Sequence, residues 1–172
     1  MATPLIVNVI ELLRRPGNTK DVDVTLKADD LVFDDSRMSD EPVSVTAHLE
    51  ALSNGVSVHG SATATWEGEC RRCLDPIRRP VTVDLDELYQ VHPDSPDAYA
   101  IENDQINLLP MVRENLLLAI PLGPLCTEDC PGICPVCGAD LKSAACGCDT
   151  APKDHRWDAL DAIRKQLSDA PE

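Results

Sequence analysis

Eight cysteines sit in 172 residues as four close pairs, Cys70/Cys73, Cys126/Cys130, Cys134/Cys137 and Cys146/Cys148, and six of the eight fall within residues 126–148. Two thiolates this close can reach one ion without straining the backbone between them, and the tight turns that allow it are rich in Gly and Pro. Cys134-Pro135-Val136-Cys137-Gly138 is a knuckle of the kind that holds tetrahedral Zn2+ or iron. Eight thiols make two four-cysteine sites without remainder. Disulfides are the competing use of such pairs, and they require an oxidising compartment. The first ten residues carry neither a basic stretch nor a long apolar run, and no later stretch approaches the length of a membrane span. The sequence therefore predicts a cytoplasmic chain with reduced, metal-binding cysteines.

How the thiols divide follows less directly. Cys134-x2-Cys137 and Cys146-x-Cys148 are joined by the small-residue bridge 138–145, short enough for a compact hairpin, so these four form one expected site. By elimination Cys126 and Cys130 join Cys70 and Cys73. The rival is a consecutive site from Cys126, Cys130, Cys134 and Cys137, which leaves Cys70/Cys73 to find Cys146/Cys148. Either division closes both coordination shells. A closed shell points to structural metal, whereas a catalytic zinc keeps a position for water.

Around the cysteines the chain alternates like a β-protein. Val22, Val24 and Leu26 share one face of a strand; Val43, Val45, Ala47, Leu49 and Ala51 mark a second, and Val56, Val58, Gly60, Ala62, Ala64 and Trp66 a third. Asn54-Gly55 between the last two predicts a two-residue hairpin turn with both residues at positive φ. Val81, Val83 and Leu85, with Tyr89 and Val91 in phase, predict a fourth strand, so Cys70 and Cys73 fall in a connection between strands. Residues 5–13 read as a short strand leading into one helical turn. A helix is predicted over Asn107–Ala119, with Asn107 as cap and Leu109, Val112, Leu116 and Ala119 on one face; another is predicted from about Asp154 to Leu167. The fold class is α+β: an antiparallel sheet or partly open barrel with a central helix (1–120), a cysteine-rich zinc-knuckle segment (121–150) and a C-terminal helix and tail (151–172).

Charge limits the partners. The formal net charge is −15 and aromatics make up 3% of the chain, so neither a broad phosphate-binding surface nor a platform for stacking single-stranded bases is expected. Positive charge is nonetheless segregated: Arg71, Arg72, Arg78 and Arg79 lie within nine residues that hold one acid, Asp75, while residues 84–104 hold seven acids and no Lys or Arg. The four arginines are the candidate nucleic-acid contacts. No catalytic pattern accompanies them. The four histidines, His48, His59, His92 and His155, are scattered, and there is no Gly-rich phosphate loop, Gly-x-Ser-x-Gly elbow or His-Glu-x-x-His. The sequence predicts a non-enzyme, with no small-molecule substrate and no membrane partner.

Taken together, Gly68-Glu69-Cys70-Arg71-Arg72-Cys73-Leu74-Asp75-Pro76 after an alternating hairpin, the helix ending Ala119-Ile120-Pro121-Leu122, and the run from Cys126 through Cys130-Pro131-Gly132-Ile133-Cys134-Pro135-Val136-Cys137-Gly138-Ala139-Asp140-Leu141 resemble the YceD family, in its cysteine-rich subset. The resemblance spans nearly the whole chain, from Asn8 to about Leu160. It implies a bacterial cytoplasmic factor for the synthesis, processing or stability of 23S ribosomal RNA and for large-subunit assembly, without catalytic residues. Combined with the charge, it implies contact with 23S RNA or its precursor through the arginines, or with a basic large-subunit ribosomal protein for which the acidic surface is the counter-charge. The competing readings are a thiol-redox or metal-handling protein and rubredoxin-like electron transfer. The first needs an accessible low-pKa thiolate; the second needs bound iron, and hence colour.

Overall fold

The computed structural model describes residues 5–93, 95–96, 98–149 and 160. Along residues 5–149, as far as they are described, come the elements β1 (Ile6–Asn8), α1 (Ile10–Leu13), β2 (Thr19–Leu26), α2 (Ala28–Leu31), β3 (Val43–Ala51), β4 (Gly55–Glu69), β5 (Pro76–Gln90), β6 (Tyr99–Ala100), β7 (Gln105–Asn107) and α3 (Leu109–Ala119). The helix predicted over 154–167 lies outside the described residues apart from Leu160. Contacts divide the chain into two units, Met1–Glu128 and Asp129–Glu172.

Period-two patterning becomes a five-stranded sheet in the order β2-β3-β4-β5-β6, antiparallel except for the short parallel pair β5–β6. The sheet is open, its order running from β2 to β6 without closing. Val43, Val45, Ala47, Leu49 and Ala51 on β3 are buried, as are Val56, Val58, Ala62 and Ala64 on β4. α3 covers this apolar face through Met111, Val112 and Leu116, all fully buried; burial of each such side chain stabilises by about 1.5–3 kcal/mol. The helix starts two residues later than predicted, with Leu108 rather than Asn107 at its N-cap; Asn107 ends β7, its Oδ1 accepting the Leu109 N–H at 3.1 Å. Met111 lies on the packed face in place of Ala119, which is exposed. β1 and β7 pair as a separate two-stranded sheet, and the strand-then-turn reading of residues 5–13 holds.

Two local expectations are corrected. Asn54 and Gly55 are not the two central turn residues, and neither has positive φ. The Leu52 N–H bonds the Gly55 carbonyl at 2.8 Å, so Ser53 and Asn54 make the turn and Gly55 opens β4 opposite Gln90. Glycine is needed there for proximity rather than rotation, because a Cβ at Gly55 would stand 2.0 Å from the Tyr89 carbonyl oxygen. The turn with two positive φ values is Asn103-Asp104 (51° and 58°), bracketed by reciprocal backbone bonds between Glu102 and Gln105. The fourth predicted strand also begins earlier than its alternation indicates. β5 starts at Pro76 and pairs with β4 from Glu69↔Pro76 to Gly55↔Gln90. The first cysteine pair thus sits in the six-residue connection at the tip of the longest hairpin.

Candidate metal centres

The tip, Cys70–Asp75, is a knuckle. The Cys70 N–H donates to the Asp75 carbonyl (2.8 Å) and the Leu74 N–H to the Cys70 carbonyl (2.9 Å), a closure that places Leu74 at φ 63°. The chain beyond α3 returns to this tip. The Arg71 N–H donates to the Pro124 carbonyl at 2.9 Å, the Arg71 side chain lies across Gly123, and the Arg79 guanidinium donates to the Cys126 carbonyl. Cys126 is thereby held with its Sγ 3.6 Å from that of Cys73, and the sulfurs of Cys70, Cys73 and Cys126 lie within 4.8 Å of one another. A disulfide needs about 2.05 Å between sulfurs. Zn–S bonds of about 2.3 Å at tetrahedral angles put sulfurs about 3.8 Å apart, so the observed spacing suits a shared ion. Burial pushes the Cys70 thiol up, but the N–H groups of Cys126, Arg72 and Cys73 aimed at its sulfur outweigh burial and hold it down at about 5. Cys130, four positions after Cys126, is fully buried.

In the second unit the same closure recurs. The Cys134 N–H donates to the Ala139 carbonyl (2.8 Å), and the Gly138 N–H donates to the Cys134 carbonyl (2.9 Å) with Gly138 at φ 72°. An Ile133↔Asp140 bridge and the Leu141 N–H to Gly132 carbonyl bond (3.0 Å) clamp its base. The bridge after the knuckle folds back through turns at Asp140, whose carboxylate accepts the Lys142 N–H and the Ser143 hydroxyl at 2.9 Å each. Cys134, Cys137, Cys146 and Cys148 converge with their sulfurs within 4.8 Å. The N–H groups of Cys137 and Val136 lower the Cys134 thiol to about 6. Cys148 is pushed up to about 11 by the Cys137 sulfur and by burial. At Cys146 the N–H of Cys148 pulls down, but the Cys134 sulfur and burial prevail and the thiol is raised. A four-thiol cage takes up a cation by releasing its thiol protons. The donor set is soft, sulfur-only and capped by N–H groups, which fits Zn2+ or iron.

Of the two divisions open to the sequence, the structure groups Cys134 and Cys137 with Cys146 and Cys148, so the consecutive Cys126–Cys137 site is not the one formed. The four arginines stand in different surroundings. Arg78 on β5, opposite Glu67 of β4, makes ion pairs with Glu41 (2.5 Å) and Glu67 (3.4 Å). Arg79 braces Cys126; Arg71 and Arg72 stand exposed on the knuckle. Sequence reasoning missed Arg79 as a positioning residue and Leu74 as the knuckle's positive-φ position. Laying Cys70-x2-Cys73-Leu74 over Cys134-x2-Cys137-Gly138 gives the second signal, since Leu74 occupies the place of Gly138.

No helix among the described residues is long and apolar enough to cross a membrane. No solved structure matches the chain. An uncharacterized protein of Mycobacterium tuberculosis is 33% identical over 159 residues, covering 83% of this chain and 73% of the relative. Bacillus subtilis YlbN is 26% identical over 92% of this chain and 95% of its own. A chloroplastic protein of Arabidopsis thaliana, large ribosomal RNA subunit accumulation protein YCED homolog 1, is 30% identical over 66 residues, 38% of this chain and 21% of its own. The family model described as large ribosomal RNA subunit accumulation protein YceD matches residues 58–164, which hold both knuckles and most of the hairpin that carries the first. The chain belongs to the YceD family.

Proposed function

We propose that this protein is a non-enzymatic, cytoplasmic factor that supports accumulation of 23S ribosomal RNA during large-subunit assembly, with two structural Zn2+ ions as part of its fold. The observation that carries the metal reading is the sulfur spacing, 3.6 Å between Cys73 and Cys126, which suits a tetrahedral ion and not a disulfide. Cys134, Cys137, Cys146 and Cys148 hold one ion. Cys70, Cys73 and Cys126 hold the other, and Cys130 completes it, because three intervening residues tether it to Cys126. Four thiolates around each ion leave no position for water or substrate, so the metal is structural and the chemistry inert.

The link to ribosomal RNA rests on the family name, and the route is narrowed by charge. At −15 the chain repels RNA over most of its surface, and Arg78 and Arg79 are engaged within the fold. Arg71 and Arg72 are too few to hold RNA against that field. A basic large-subunit ribosomal protein is the partner that charge favours, and 23S RNA accumulates as a consequence of its correct delivery.

Metal analysis of purified native protein, with thiol titration before and after chelation, tests the first half. About two zinc per chain with shielded thiols is expected; iron and colour would move the reading to electron transfer, and reactive thiols without metal to redox work. A deletion strain tests the second half. Normal 23S RNA there would remove the ribosomal reading.

A further inference from the structure

β2 is an edge strand. All eight of its residues pair with β3, and no described strand meets its other side. An antiparallel strand turns its N–H and C=O groups alternately to each side, so half of this strand's backbone groups point away from the sheet; among the described residues no backbone group bonds them there. Edges of this kind accept any extended chain unless side chains select the partner. Here the outer face selects for positive charge. Asp21, paired with His48, and Asp23 are exposed on the outer face; Glu50 stands on the same face of the adjacent β3, and Asp84 and Asp86, the latter paired with His59, on that of β5, two strands beyond β3. The opposite face of β2 carries Val22 and Val24, half-buried against the core. Lys20 donates to the Asn8 carbonyl at 3.1 Å, and Thr19 and Lys20 border a cavity of about 440 Å³ with Asn8, Glu11, Leu12 and Asn18. A second copy of this chain would bring like charges together along the edge. A basic segment meets opposite charge there, in a protein whose net charge is −15.

We propose that the free edge of β2 docks an extended, Lys/Arg-rich protein segment by strand addition. Its basic side chains lie over Asp21 and Asp23, and its alternate, apolar side chains continue the Val22–Val24 row. The ladder of backbone bonds supplies affinity and the two faces supply specificity. This rests on the reading that the chain escorts a basic ribosomal protein, and it names the surface.

The test uses the full-length, metal-loaded protein and a synthetic peptide alternating Val and Lys, with a Val/Glu peptide as control. The Val/Lys peptide is expected to bind, to weaken as salt rises, and to protect β2 amides from hydrogen exchange. Asp23→Lys, chosen because Asp21 is bonded to His48, should weaken binding about tenfold, equivalent to about 1.4 kcal/mol, and Asp23→Asn should weaken it less. Binding unchanged in Asp23→Lys, binding without protection of β2, equal binding of the Val/Glu peptide, or protection of the same amides by single-stranded RNA would each overturn the proposal. The outcome is separable from the ribosomal reading. A deletion strain that loses 23S RNA while the peptide fails to bind sinks only the docking edge, and normal 23S RNA with a bound peptide sinks only the ribosomal role.

Discussion

The two knuckles share a closure and differ in what surrounds it. Each has an N–H to carbonyl bond of 2.8 Å across its base and one of 2.9 Å into its turn, with the residue after the second cysteine at positive φ. The first stands at the end of two fifteen-residue strands, and Cys70 and Cys73 are buried there. In the second, among residues 129–149, only Cys130, Gly132 and Cys134 are buried, and the unit's described part has no hydrophobic cluster. The same local geometry is thus supported by a sheet in one place and, among the described residues, by almost nothing apolar in the other. On the proposed reading, a bound ion supplies the folding free energy that burial there does not, on the order of 10 kcal/mol in zinc-finger peptides.

Stripping the metal should break that comparison most sharply. In the metal-free protein, amide exchange over residues 132–148 should rise to unprotected rates while β3, β4 and β5 stay protected, because their core needs no ion; continued protection of 132–148 would show that the second knuckle holds itself. Cys134→Ser should reproduce this loss while leaving the melting of the sheet unchanged. Cys70→Ser should instead lower the sheet's own melting temperature, since it takes a thiolate, and with it the ion, from the buried tip of the central hairpin. Equal effects of the two serines on sheet melting would remove the distinction.

The sequence shows most of this where one physical rule acts alone. Alternation along residues 43–66 specifies β3 and β4 because the two faces of a strand meet different environments. Four cysteines joined by a bridge of eight residues can converge only locally, so the second site is legible from spacing. Legibility fails where two rules compete. Asn54-Gly55 has the composition of a hairpin turn, but close approach of Tyr89 claims the glycine for β4. Arg78 and Arg79, after Pro76, have the composition of a solvated loop, but pairing with Glu67 and Trp66 makes them strand. The return of Cys126 to the hairpin tip is set by bonds from Arg71 and Arg79, a contact between distant segments that no local pattern encodes.

Smaller substitutions probe the backbone of each knuckle. Gly138→Leu should weaken metal retention in the second knuckle by about 1–2 kcal/mol, the cost of a side chain in the left-handed region, read as a lower chelator concentration for half release. Arg79→Ala should cost the first knuckle about 1 kcal/mol, the typical net worth of a hydrogen bond. Its check is selective deprotection around Cys126 with 132–148 unchanged.

The smallest effect carries the most information about function. Leu74 sits at φ 63° with its side chain 58% exposed, so it bears the left-handed penalty and recovers little by burial. Leu74→Gly should relieve that penalty of about 1–2 kcal/mol, offset by the roughly 0.5–1 kcal/mol of extra entropy a glycine loses on folding. A gain of up to about 1 kcal/mol should remain, visible as a small rise in the melting temperature of the metal-loaded protein. A fall instead would mean that the exposed leucine packs against something the strain argument leaves out. If the variant is more stable yet fails to restore 23S RNA in a deletion strain, the leucine at the hairpin tip is held against its backbone preference by a partner contact. The second knuckle, with glycine in the same place, then carries no such contact.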